Sequence, residues 1–160
     1  MSDLIITGVN APRRSRVRIA IIVLFVVVAL LFVVRTVINA RELQLRLVCG
    51  SNLKGLATTF KIYSRENDWD EKKPPIEWLI TKGYIEPRQA ICPSSGGLQS
   101  NYILVPPPAG GWISNNAIMA FEPKSNHGDG GNVVFADGHA AFLRGDDYDK
   151  LIGPLSTGPK

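Results

Sequence analysis

Three patterns of apolar residues follow one another along the chain. The first is unbroken: Ile19 to Val34, IAIIVLFVVVALLFVV, runs sixteen residues without a charge. As a helix rising about 1.5 Å per residue it measures ~24 Å, short of the ~30 Å hydrocarbon core of a bilayer. Arg18 and Arg35 flank it, and their stems can lie along apolar surface while the guanidinium heads reach the headgroups. A core helix would show a polar face over four turns, and a cleaved signal would close on small residues. Arg35-Thr36-Val37 follows instead. The pattern predicts a basic tip at 1–18 and a retained single-pass helix over 19–40.

The second pattern is periodic. Leu45, Cys49, Leu53, Leu56, Phe60 and Tyr63 recur at gaps of three and four, one face of a helix from Arg41 to Glu66, while Lys54, Thr58, Lys61 and Arg65 occupy the opposite face. Gly50 and Gly55 each weaken such a helix by about 1 kcal/mol relative to Ala and allow a bend near Gly50. The polar stretch Asn67 to Lys73 reads as a turn. Pro74-Pro75 opens a short helix, Ile76 to Lys82, with Gly83 as its stop. The segment YIEPRQAICPSS then carries Cys92 in a loop.

From Ser100 the helical period gives way to strands. Asn101 to Val105 and Ala117 to Phe121 are separated by the Pro- and Gly-rich PPPAGGWISNN. Val133 to Ala136 and His139 to Leu143 read as a hairpin joined by Asp137-Gly138, a dipeptide suited to a two-residue turn in which both residues take positive φ. That register sets Phe135 opposite Ala140 and Val133 opposite Phe142, on the face away from His139. With the Leu45-to-Tyr63 helix face, these strands predict an α+β domain over 41–145, a long helix on a small antiparallel sheet. Residues 146–160, opening on Asp146-Asp147-Tyr148-Asp149, read as a solvated tail.

The formal charge of +4 changes its meaning once divided by position. Arg13, Arg14, Arg16 and Arg18 lie before the apolar run, and from Arg41 onward 13 basic residues balance 13 acidic ones. A neutral domain has no electrostatic footprint for a phosphate backbone, so nucleic acid is not an expected partner. The arginines instead place the N-terminus in the cytoplasm by the positive-inside rule and the C-terminal domain outside, in the periplasm or its equivalent. In that oxidising space Cys49 and Cys92, the two cysteines, are expected to form a disulfide, the alternative being two separate buried thiols. Pairing would close a loop of ~40 residues, worth roughly 4 kcal/mol in the chain-entropy model.

The stretch NHGDGGNVVFADGHAAFL, Asn126 to Leu143, concentrates the candidate chemistry. One reading is structural: Asp137-Gly138 makes the turn, the glycines before it permit bends, and His127 hydrogen-bonds across the loop. A second is a metal site built from His127, Asp129, Asp137 and His139, with zinc or calcium as the ion. A third is general-base catalysis by a His-Asp pair, which needs a nucleophile or metal-bound water and a pocket. No Ser sits in a strand-turn-helix elbow. The structural reading explains the residue types unaided, so neither a catalytic residue nor a cofactor is expected.

A basic tip, an apolar helix running into an amphipathic one, and an outer antiparallel sheet together resemble type IV pilins and type II secretion pseudopilins. His127, nine residues, then Asp137-Gly138 within GNVVFADGH is similar to the bacterial prepilin-type processing-associated domain named for its H-X9-DG spacing; RLVCGSNLKGLATTFKIYSREND and ICPSS carry the likeness further. The resemblance implies a pilin-like fold, protein partners in the inner membrane or periplasm, homo- or hetero-oligomers through the N-terminal helix, and no enzymatic activity. It also brings calcium forward, since pseudopilins hold that ion in a loop of this region. Ile19 to Val34 holds no Glu, and Gly8 is followed by Val9-Asn10, so the expected form is permanently anchored. The competing expectation is a membrane-tethered metal-binding or metal-dependent hydrolytic domain.

Overall fold

The computed structural model describes residues 13–66, 75–97, 101–108 and 111–156. Two compact units divide at Arg41/Glu42. Helix α1, Arg13–Glu66, is uninterrupted over 54 residues. In the first unit its apolar side chains are all exposed, with Phe25 at 77% and Phe32 at 73%. It is the one helix among the described residues long and apolar enough to cross a membrane, and none of the described residues covers that surface.

In the second unit the periodic face of α1 is the floor of the core. Cys49, Leu53, Leu56, Ala57 and Phe60 are buried, packed with Leu79, Tyr102, Leu104, Met119 and Val134. The helix runs through Gly50 without interruption, and Gly50 is buried. Its role is close approach: a Cβ there would lie 2.8 Å from Oδ1 of Asn132. Lys61, expected on the solvent side, is half-buried and donates from Nζ to the carbonyl of Ala136 at 2.5 Å.

Helix α2, Pro75–Thr81, starts on a proline. It stops at Gly83, φ +74, where the Gly83 and Tyr84 amides donate to the carbonyls of Ile80 and Leu79 and satisfy two orphan acceptors. Two short 3-10 turns, Pro87–Ala90 and Pro93–Ser95, bracket Cys92. The turn expected over 67–73 lies outside the described residues apart from its flanks.

Four strands form an antiparallel meander in the order β1 (Ile103–Leu104), β2 (Ile118–Phe121), β3 (Gly130–Phe135), β4 (Ala140–Arg144). The β3–β4 hairpin differs from the expected register by one residue. Val134 pairs with Ala140, Val133 with Ala141 and Asn132 with Phe142. The loop holds three residues, not two: Phe135 donates to His139, Gly138 donates to Phe135, and only Gly138 takes a positive φ, +90. Asp137 keeps a negative φ because its side chain accepts the amide of His139 at 2.9 Å. The added loop residue shifts β4 by one against β3, so Ala140 and Phe142 lie beside Val134 and Asn132, and His139 stacks on Phe135 instead of facing away from it. Asn132 and Val134 share the face that meets α1, while Val133 and Phe135 face away.

That far face is covered. Residues 145–156, expected as a solvated tail, form helix α3, Gly145–Ser156. Tyr148 and Ile152, four apart on one side of it, are buried with Phe121 and Val133. Asp146 and Asp147 stand exposed in its first turn, where negative charge meets the positive end of the helix dipole. The α+β class stands, with the sheet held between two helices.

Candidate functional site

The 3-10 turn Lys124–Asn126 ends in a hydrogen bond from the Gly128 amide to the carbonyl of Lys124, with Gly128 at φ +78. This tight reversal sends the ring of His127 inward, where its side chain is fully buried. Each ring nitrogen faces a carboxylate. Nδ1 lies 3.0 Å from Oε1 of Glu42, on the second unit's part of α1, and Nε2 lies 3.4 Å from Oε1 of Glu122, at the end of β2. Nε2 is also 3.7 Å from Sγ of Cys92. The ring edge packs on Phe142, centroids 5.5 Å apart.

Glu122 is a carboxylate with no solvent exposure, so it requires partners. Oε1 accepts the backbone amide of Asn132 at 2.7 Å and its side-chain amide at 2.5 Å, and Oε2 receives the Asn126 amide at 3.5 Å. Asn132 also donates to the carbonyl of Arg46 at 3.0 Å, tying the sheet to α1. Tyr148 donates to the Glu122 carbonyl; burial, then the Glu122 charge, pushes its phenol up to about 12. On the rim, Glu42 accepts from Arg46 at 3.1 Å, and the hydrogen bonds from His127 and Arg46 hold its carboxyl below the ordinary range. Arg46 reaches Asp129 at 2.9 Å and lies over Phe142.

Cys49 and Cys92 are joined by a disulfide, and both are buried. Cys49 accepts a hydrogen bond at its carbonyl from Tyr102, whose phenol burial pushes well above its usual range. The ligand atoms of Cys49, Cys92, Glu122 and His127 all lie within 4.8 Å of one another.

The residues singled out by sequence part company here. Cys49 and Cys92 are in this cluster, and of the four candidate metal ligands only His127 joins them. Asp129 serves Arg46 and also stands 3.5 Å from Arg144. Asp137, with Gly138, closes the hairpin at the other end of β3 and bonds His139 at 2.6 Å on the surface. The hydrogen bonds from the backbone and ring of His139 hold the Asp137 carboxyl below its ordinary range. The four-residue set His127, Asp129, Asp137 and His139 is therefore not a metal cage, because a six-residue strand separates its members.

Glu42 and Glu122 were missed. Glu42 falls seven residues before Cys49, on the same helix face, and that spacing was a usable signal. Glu122 offered none, being one acidic residue after a short strand. As for chemistry, the ring of His127 has no solvent path of its own, and a groove of about 460 Å³ beside β4 is lined by Arg46, Lys54, Phe142 and Arg144 but by neither His127 nor Glu122.

The fold and the cluster define a membrane-associated helix-sheet protein whose head buries a Cys/Cys/Glu/His group of metal-ligand type. No family model matches the chain, and no curated protein and no solved structure matches it either.

Proposed function

We propose that this protein is a non-enzymatic, single-pass anchor of the bacterial inner membrane, carrying a pilin-like extracytoplasmic head that works by contact with neighbouring proteins in a secretion or pilus-like assembly. One observation carries the reading: α1 offers a long apolar surface that no described residue of its own chain covers, and the same helix is the floor of the folded head. In lipid that surface packs against acyl chains or similar helices, homo- or hetero-oligomeric. The H-X9-DG resemblance supports the same assignment. The His127 network supports it as well, because its polar atoms are spent on joining α1, the Cys92 loop and the sheet.

Protease added to right-side-out spheroplasts should digest the head, while carbonate washing should leave the protein in the membrane. A shielded head, or release by carbonate, would refute the topology and the contact role with it.

A second reading is favoured by the Cys49, Cys92, Glu122 and His127 cluster: a membrane-tethered metal-binding head. With the Cys49–Cys92 disulfide reduced, four protein ligands would fill a tetrahedron and leave no position for water, so this version is structural and not hydrolytic. Metal analysis of the protein purified from membranes with its thiols kept reduced separates the two readings: stoichiometric zinc supports the second, and a metal-free reduced head removes it.

A further inference from the structure

We infer that the head has two mutually exclusive closures built from the same atoms: the Cys49–Cys92 disulfide when oxidised, and a tetrahedral zinc site of Cys49, Cys92, His127 and Glu122 when the disulfide is reduced. The inference rests on the metal-binding reading and deepens it by naming the redox state, the ligands and the ion class.

Two edges of such a site are already in place, and breaking the S–S bond frees the sulfurs to open to the ~3.8 Å that two zinc-bound thiolates need. A zinc tetrahedron with Zn–N of ~2.0 Å and Zn–S of ~2.3 Å has N···S edges of roughly 3.6 Å and N···O edges of roughly 3.4 Å. Nε2 of His127 lies 3.7 Å from Sγ of Cys92 and 3.4 Å from Oε1 of Glu122. The outer shell fits too. A zinc-bound imidazole donates its other N–H to a carboxylate, which fixes the ring and leaves the ligating nitrogen bare. Glu42 stands at that position, 3.0 Å from Nδ1. The ligating carboxylate is held by the two amides of Asn132. All four side chains are buried, so a bound ion would be shielded from water.

The sulfurs cannot play both parts. A disulfide sulfur is not a thiolate, and zinc binds the thiolate. A dithiol reductant attacks one sulfur, the S–S bond breaks, and after the second exchange the reductant leaves as its own disulfide with Cys49 and Cys92 as thiols. Zinc then binds both sulfurs, releasing two protons to solvent, with Nε2 and Oε1 completing the site. The soft, mixed S/N/O donor set selects zinc over calcium, which prefers oxygen ligands alone. In either closure α1 stays joined to the Cys92 loop.

The test uses the full chain in detergent micelles, oxidised or reduced with a trialkylphosphine that is then removed without air, thiols being counted before titration. Cobalt(II) is the probe, since thiolate charge-transfer bands report its coordination and zinc should displace it. One cobalt per reduced chain and none per oxidised chain are expected. His127→Ala should weaken the affinity by well over tenfold, and Glu42→Gln by ~10-fold at unchanged stoichiometry and spectrum, as a positioning residue does. Cys49→Ser with Cys92→Ser should abolish the thiolate bands. If reduction loosens the head, the near-UV circular dichroism should return on adding zinc; a spectrum that stays lost overturns the proposal. His127-dependent binding to the oxidised chain would remove the redox exclusivity and keep the metal-binding head. Absence of binding in both states would remove both.

Discussion

Gly50→Ala and Gly55→Ala are the same substitution five residues apart on one helix, and opposite outcomes are expected. Each gains about 1 kcal/mol of helix propensity. At Gly55 a Cβ meets nothing within 4 Å, so the gain survives and the head should be stabilised by roughly 0.5–1 kcal/mol. At Gly50 the new Cβ would sit 2.8 Å from Oδ1 and 3.1 Å from Cγ of Asn132. A free side chain would swing aside. Asn132 is held, because it is buried and its amide donates to Glu122 and to the carbonyl of Arg46. Either the contact stays, at about 1–3 kcal/mol for overpacking, or Asn132 moves and a hydrogen bond to a buried carboxylate is lost, at about 1.5–3 kcal/mol. Net of propensity, Gly50→Ala should destabilise by up to about 2 kcal/mol, and the two variants should differ by about 0.5–3 kcal/mol. Thermal unfolding of the full chain in micelles, followed by near-UV circular dichroism, reads this as a gap of up to roughly 10 °C, with Gly50→Ala the lower. Equal upward shifts for both would refute the close approach and return Gly50 to a mere weak point in the helix.

Two further outcomes concern Glu42 and the hairpin. The folded-state pKa of Glu42 is lowered by His127 and Arg46, so its contribution is complete above the unfolded value of ~4.3 and drains away as pH falls through the folded value. Acid titration of stability should steepen below about pH 4, and Glu42→Gln should flatten that limb; an unchanged slope would detach Glu42 from the network. In the hairpin, Gly138→Ala should cost ~1–2 kcal/mol, because a side chain is strained at φ +90. Asp137→Ala should cost less than Gly138→Ala, because it removes only solvent-exposed hydrogen bonds to the amide and ring of His139. Denaturant midpoints showing the reverse order would contradict the three-residue loop.

The helical half of the fold was legible because burial imposes a period. Cys49, Leu53, Leu56 and Phe60 sit at the predicted spacing and line the core. Gly83 was legible as a stop because few positions other than glycine favour its φ. The hairpin was legible as an element but not in register. Asp-Gly supports either a two- or a three-residue loop, and the choice turned on Asp137 bonding the His139 amide, a local event that hydrophobic pattern does not encode. Helix α3 was hidden because its acidic exposed face dominated the reading, although Tyr148 and Ile152 stand at helical spacing. The cluster was the least legible part. Its members come from positions 49, 92, 122 and 127, and only the packing of the sheet on α1 unites them.

His127 and Asp137-Gly138 look like a catalytic or metal-binding pair when read along the chain, and the structure gives them separate tasks. Between them runs β3, six residues and so ~20 Å of extended chain. His127 works at one end, against Glu42 and Glu122, and Asp137 at the other, against His139. The spacing measures a strand, long enough to carry the chain from the buried lock to the exposed turn. A double-mutant cycle distinguishes a ruler from a pair. His127→Ala and Asp137→Ala share no partner, so their costs should add within ~0.5 kcal/mol, whereas His127→Ala and Glu42→Ala touch one hydrogen bond and should couple by about 0.5–3 kcal/mol. Denaturant unfolding of the three single and two double variants gives both terms. A coupling above about 1 kcal/mol between His127 and Asp137 would mean that the two ends of β3 act on one another and would revive the paired site.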